Sequence, residues 1–86
     1  MLVTLDEKQL VPVLHDLVQK LERAGSEVVL DFSAVRCIDS QAVLAMDELS
    51  QKADEKSVRI VLRGVDVDVY KVLKLVRLTP RLSFAA

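Results

Sequence analysis

Cysteine occurs once in this chain, at Cys37, and histidine once, at His15. A single thiol cannot close an intramolecular disulfide, and neither residue has the companions that a metal site needs. Aromatic side chains make up 3 % of the sequence and tryptophan is missing, so no stacking platform for single-stranded nucleic acid exists. A basic excess is missing too: 12 Lys and Arg stand against 13 Asp and Glu, for a net charge of -1. That balance offers a phosphate backbone no attractive field, and a nucleic-acid partner is not expected. With glycine only at Gly25 and Gly64 there is no glycine-rich phosphate loop. No apolar run approaches the roughly 20 residues that cross a bilayer. The opening M-L-V-T-L-D-E-K lacks the basic start and apolar stretch of a signal peptide. Repeats, low-complexity tracts and linkers are also lacking. What remains is 86 residues of which 51 % are apolar, enough for one domain, 1–86, with its own core. The expectation is a cytoplasmic, soluble protein or a soluble piece of a larger system, not inserted in a membrane and needing no cofactor.

Residues 2–5, L-V-T-L, read as a short edge strand, with Asp6 as the cap of a following helix. Leu10, Val13, Leu14, Leu17, Val18 and Leu21 repeat at i, i+3, i+4, i+7, the spacing of one helix face. Pro12 falls in the first turn, where a missing N–H costs least, and Ala24-Gly25 should stop the helix with Gly25 left-handed. Residues 28–32, V-V-L-D-F, are apolar on both sides apart from Asp31, which predicts a central strand covered on two faces. A polar turn over 33–39, pinned by Val35 and Ile38, leads to a second helix capped by Asp39 or Ser40. Its inward stripe is expected to be Val43, Met46, Leu49 and Ala53. Residues 57–63 alternate, with Val58, Ile60 and Leu62 on one side and Arg59, Val61 and Arg63 on the other, which is a strand closed by Gly64. A third helix over 66–78 should bury Val69, Val72, Leu73 and Val76 and end at Thr79-Pro80. Residues 82–84 form a last short strand or plug the core.

Strand, helix, strand in this order calls for right-handed crossovers. The fold class is therefore α/β: a small, mostly parallel β-sheet packed with helices. In such sheets the functional crevice lies beyond the carboxyl ends of the strands. That places the turn at 36–41 beside the loop at 64–66, with Ser40 between them.

The run V-V-L-D-F-S-A-V-R-C-I-D-S-Q-A-V-L-A over 28–45, then a strand, Gly64-Val65 and a V-x-x-V-L-x-L-V-x-L ending, resembles the STAS domain. That family includes bacterial anti-sigma-factor antagonists, stressosome components, cytoplasmic parts of sulfate transporters and small partners of lipid-transport ATPases. The resemblance extends over about 10–84 and is most specific at L-D-F-S and I-D-S. In antagonists the residue after that Asp is a Ser or Thr that a partner kinase phosphorylates, which the resemblance places on Ser40, with Asp39 before it. The family usually continues with Ser or Thr and then Gly, whereas Gln41 and Ala42 follow here. It also usually begins with a two-strand hairpin, for which only 2–5 stand here, a shortened N-terminus that leaves a sheet edge open to pairing with another chain.

Two functions follow as expectations. One is a non-enzymatic regulatory module of transcription, whose surface at Arg36, Asp39, Ser40, Gln41, Ala42 and Val43 docks an anti-sigma factor of the serine-kinase type and is released by phosphorylation of Ser40. The other is a constitutive adaptor subunit of a transporter ATPase or stressosome-like assembly, in which Ser40 is only a helix cap. A homodimer through the sheet edge at 2–5 accompanies either. Catalysis is not expected, since Asp31 and Asp39 have no nucleophile, oxyanion hole or metal beside them. His15 reads as a surface residue and Cys37 as a partly buried small apolar one. Arg59 and Arg63 read as exposed edge residues or as salt-bridge partners of a neighbouring helix.

Overall fold

The computed structural model describes residues 1–23 and 25–85. Its first strand, β1, is Leu2–Asp6, and the helix α1 follows at Leu10–Lys20. Asp6 does not cap that helix directly. Its carboxylate accepts the N–H of Gln9 at 2.8 Å, which folds the turn from which α1 starts. Pro12 is the third helical residue, inside the first turn, where its absent donor leaves no bond unmade. A 3-10 turn at Leu21–Arg23 ends the helix, and Gly25 is left-handed at φ 74°. The part of the expected stop that falls on Ala24 lies outside the described residues.

The strand β2 is Glu27–Ala34 and the helix α2 is Ser40–Glu55. They are followed by the strand β3, Arg59–Arg63, the helix α3, Val67–Leu75, and the strand β4, Ser83–Phe84. The sheet order is β1-β2-β3-β4, and every neighbouring pair is parallel. Right-handed crossovers between strands laid down in sequence order bring every helix to one side. The burial pattern records this: Leu5, Val28, Leu30, Phe32, Ile60 and Leu62 are sealed against the helices. The alternate positions, Thr4, Val29, Asp31, Arg59, Val61 and Arg63, are exposed or half-buried. The expectation of a central strand covered on two faces is thus corrected. β2 is central, but only one of its faces is covered.

The core joins that face to Leu10, Leu14, Leu17 and Leu21 of the first helical segment, Met46 and Leu49 of α2, and Val69 and Leu73 of α3. In α2 the inward stripe is Ala42, Ala45, Met46, Leu49 and Ala53, with Val43 only half-buried. Of its neighbours, α2 lies closest to α1. The third helix ends earlier than expected, at Leu75. Arg77 adopts the left-handed region at φ 62°, which ends the helix before Val76 can turn inward, so Val76 is 43 % exposed. Pro80 belongs instead to a separate 3-10 turn, Thr79–Arg81.

Candidate functional site

All four strands run the same way, so the loops after β1, β2 and β3 leave from one edge of the sheet. The loop after β2 is fixed at several points. Val35 donates its N–H to the Phe32 carbonyl at 2.9 Å and is 1 % exposed, which holds the chain down as it leaves the strand. The Arg36 N–H donates to Glu7 Oε1 at 2.8 Å, tying this loop to the turn after β1. Ile38 packs partly into the core. Asp39 is extended, at φ -97° and ψ -178°, and its carboxylate accepts the N–H of Ala42 at 2.9 Å.

That bond assigns the cap. Asp39 is the N-cap of α2 and Ser40 is the first helical residue, so the reading of Ser40 as a helix cap is overturned. The Ser40 side chain is exposed, and its hydroxyl has no hydrogen-bond partner among the described residues. A free hydroxyl therefore stands on the first turn of a 16-residue helix, at its positive end.

Arg36, Asp39, Ser40 and Gln41 share this exposed surface, and Val43 is half-buried. Ala42 is 1 % exposed, so it supports the surface from below and cannot touch a partner. Leu44, which the sequence reading passed over, is 63 % exposed one turn beyond Ser40. Its signal lies in the sequence, since an apolar residue opposite the Met46 and Leu49 stripe must face out, and the stripe runs through Ala42 instead of the expected Val43. Cys37 is exposed, which corrects its reading as partly buried. His15 is exposed as expected.

A second cluster lies on the uncovered face of β2 and β3. Asp31 Oδ1 accepts the Ser33 hydroxyl at 2.6 Å and the Ser33 N–H at 2.9 Å, and Arg63 Nη2 donates to Asp31 Oδ2 at 3.3 Å. The Ser33 hydroxyl, the Ser33 N–H and then the Arg63 guanidinium hold the Asp31 carboxyl below the usual carboxylate range. A carboxylate stabilised in this way is a poor base. The Ser33 hydroxyl donates its hydrogen bond within β2 and the Arg63 guanidinium reaches across from β3, so the cluster clasps adjacent strands. Arg63 thus pairs with a strand neighbour and not with a helix. Arg59 Nε donates to Ser83 Oγ at 3.2 Å and ties β3 to β4. The loop after β3 leaves from the same edge as the loop after β2, and Gly64 packs on Ser33. Among the described residues, however, no hydrogen bond joins 64–66 to 36–41. The 36–41 turn is instead hydrogen-bonded to Glu7, on its other side.

Among the described residues there is no cluster of three or more His, Cys, Asp or Glu placed to hold a metal ion. No described helix is long and apolar enough to cross a membrane.

These features define a two-layer module with one all-parallel sheet, helices on one face, and an exposed serine at the start of its second helix. The STAS domain family model matches residues 10–85, and the chain belongs to that family. Among solved structures it is similar to TM1081 of Thermotoga maritima in solution, with a TM-score of 0.80 at 16 % identity over 98 % of this chain and 71 % of that one. A serine-to-glutamate variant of RsbS from Moorella thermoacetica also gives 0.80, at 24 % identity over 98 % of this chain and 76 % of that one. A crystal structure of the Thermotoga protein, a proposed anti-sigma factor antagonist, gives 0.76 at 17 % identity, covering 96 % and 77 %. These likenesses are of fold. No curated protein sequence matches the chain.

Proposed function

We propose that this chain is a non-enzymatic, regulatory protein-binding module of the anti-sigma-factor-antagonist kind, switched by phosphorylation of Ser40. The observation that carries the reading is the division of labour at the start of α2. Asp39 does the capping, so the Ser40 hydroxyl is exposed and uncommitted. In the switching step the γ-phosphoryl group of ATP passes to Ser40 Oγ, the hydroxyl proton leaves, and ADP departs. The product carries close to two negative charges where the helix dipole tolerates them, so α2 persists. Beside the Asp39 carboxylate it repels an acidic or apolar partner surface. The docking surface comprises Arg36, Asp39, Ser40, Gln41 and Val43, and Leu44 gives it an apolar centre. The partner expected is an anti-sigma factor with serine-kinase activity, in the cytoplasm, and the chain is expected to self-associate.

A second reading is favoured by Leu44. An apolar side chain 63 % exposed beside the site suits a permanent interface in a transporter-ATPase or stressosome-like assembly. It no longer requires Ser40 to be a cap.

Capture of partners by tagged wild-type protein and by Ser40→Asp, from the same lysate, separates the two readings. Loss of a kinase-like partner with Ser40→Asp supports the switch, as does ATP-dependent phosphate on Ser40 by mass spectrometry. Equal capture of a transporter or scaffold component by both proteins refutes it and leaves the adaptor.

A further inference from the structure

Parallel sheets are ordinarily covered on both faces, yet α1, α2 and α3 cover only one. The register of β2 and β3 fixes what the other face presents: Glu27 lies opposite Arg59, Val29 opposite Val61, and Asp31 opposite Arg63. Leu2 extends the middle row from β1, because it pairs with Val29, and it is 55 % exposed. The acids therefore line β2, the arginines line β3, and an apolar row separates two charged ones. Asp31 and Arg63 already meet within the chain. The Glu27 carboxylate has no ion-pair partner among the described residues.

We propose that this face receives a second copy of the chain, stacked sheet to sheet about a twofold axis that runs along the strands between β2 and β3. This rests on the self-association in the reading above and assigns its contact to the sheet face instead of the strand edge. The operation exchanges β2 with β3 and preserves height along the strands. Glu27 of one copy then faces Arg59 of the other, Val29 meets Val61, and Asp31 faces Arg63, each contact occurring twice. A twofold axis across the strands would instead lay β2 on β2 and set acid against acid, so the charge pattern selects one symmetry operator. Strands of five, eight, five and two residues, spaced about 4.8 Å apart, present roughly 300 Å² in projection, well under the ~800 Å² per partner of a standard interface. The association is accordingly weak and reversible.

Sedimentation equilibrium from tens of micromolar to the millimolar range tests it. The wild-type mass is expected to rise toward twice that of the monomer. Glu27→Lys alone and Arg59→Glu alone should each weaken self-association about tenfold or more, because either change makes two contacts per dimer repulsive. An equimolar mixture of the two variants should associate like wild type, since each reversed charge then meets its opposite across the interface. No change confined to one chain's fold produces that rescue. A wild type that stays monomeric throughout overturns self-association and this contact with it. A wild-type dimer indifferent to both reversals leaves self-association standing and overturns the face. A mixture that fails to recover overturns the pairing.

Discussion

Gly64 turns the chain out of β3 at φ 66°, directly against β2. A Cβ built there would lie 3.0 Å from the Ser33 Cβ, 3.1 Å from its nitrogen and 3.2 Å from its Cα. Those are backbone and near-backbone atoms of the central strand, which cannot swing aside as the end of a long side chain would. Gly64→Ala therefore carries two costs. The left-handed conformation costs an L-residue about 1 kcal/mol. Displacing a packed strand adds roughly 1–3 kcal/mol, for a total of about 2–4 kcal/mol. Gly25 supplies the control, because at φ 74° it has the same conformational demand but no described atom lies within 4 Å of its Cβ position. Gly25→Ala should cost only about 1 kcal/mol.

A domain of this length holds roughly 4–13 kcal/mol in all, so the Gly64 change removes a large share and the Gly25 change a small one. Urea unfolding followed by circular dichroism resolves the difference as unequal shifts of the midpoint at constant slope. In thermal melts Gly64→Ala should lose roughly 10–25 °C and Gly25→Ala about 5 °C. Ser33 is the residue pushed, and it supplies two of the bonds that hold Asp31. Gly64→Ala should therefore also let the Asp31 carboxyl relax toward its ordinary range, seen by NMR titration. Equal destabilisation by the two substitutions would refute the close-contact argument and leave only the conformational cost.

At the start of α2, Asp39→Ala should cost about 1 kcal/mol of stability, whereas Ser40→Ala should cost a few tenths at most, because only Asp39 makes the capping bond; urea midpoints check both. Ala42→Leu should destabilise by about 1–3 kcal/mol through overpacking against the core, and Ala42→Glu by more, with thermal melts showing that any lost binding by these variants is lost folding. The Asp31 carboxyl is held below its usual range, so its contribution is fully present above the ordinary carboxylate range and is lost as pH falls through the lowered value. Asp31→Asn should therefore flatten the acid limb of the stability curve, and urea midpoints measured from neutral to acidic pH should show the gap from wild type closing as pH falls.

The elements were legible because their periodicity is strong. Leu10, Leu14, Leu17 and Leu21 keep to one helical face, and Val58, Ile60 and Leu62 alternate with Arg59, Val61 and Arg63, so both structures were fixed by spacing alone. The boundaries were less legible where side chains are poor guides. The end of α3 turns on Arg77 in a left-handed conformation, a state that an arginine does not advertise as a glycine would. The uncovered face of β2 was missed for a related reason. Val29 is β-branched and apolar, which in isolation argues for burial on both sides. The number of covered faces is instead set by strand order, since the 1-2-3-4 arrangement with uniform crossover hand places all helices on one side, and strand order is a long-range property.

The candidate site shows the same division. Sequence placed Ser40 at a strand-to-helix turn, but whether its hydroxyl is committed depends on which of two adjacent capping residues the loop geometry selects. Val35 and the Glu7–Arg36 bond hold the chain so that Asp39, one residue earlier, reaches the Ala42 N–H. The hydroxyl is left free by a contact twenty-nine residues away in sequence, which no local pattern encodes. The same geometry turns Ala42 into the core and leaves Leu44 outside. The free hydroxyl at a helix N-terminus, with an apolar side chain one turn away and the Ala42 donor already occupied by a carboxylate, is a group distinct from the one that holds the helix. The phosphorylation proposed for Ser40 would then change the surface without changing the fold beneath it.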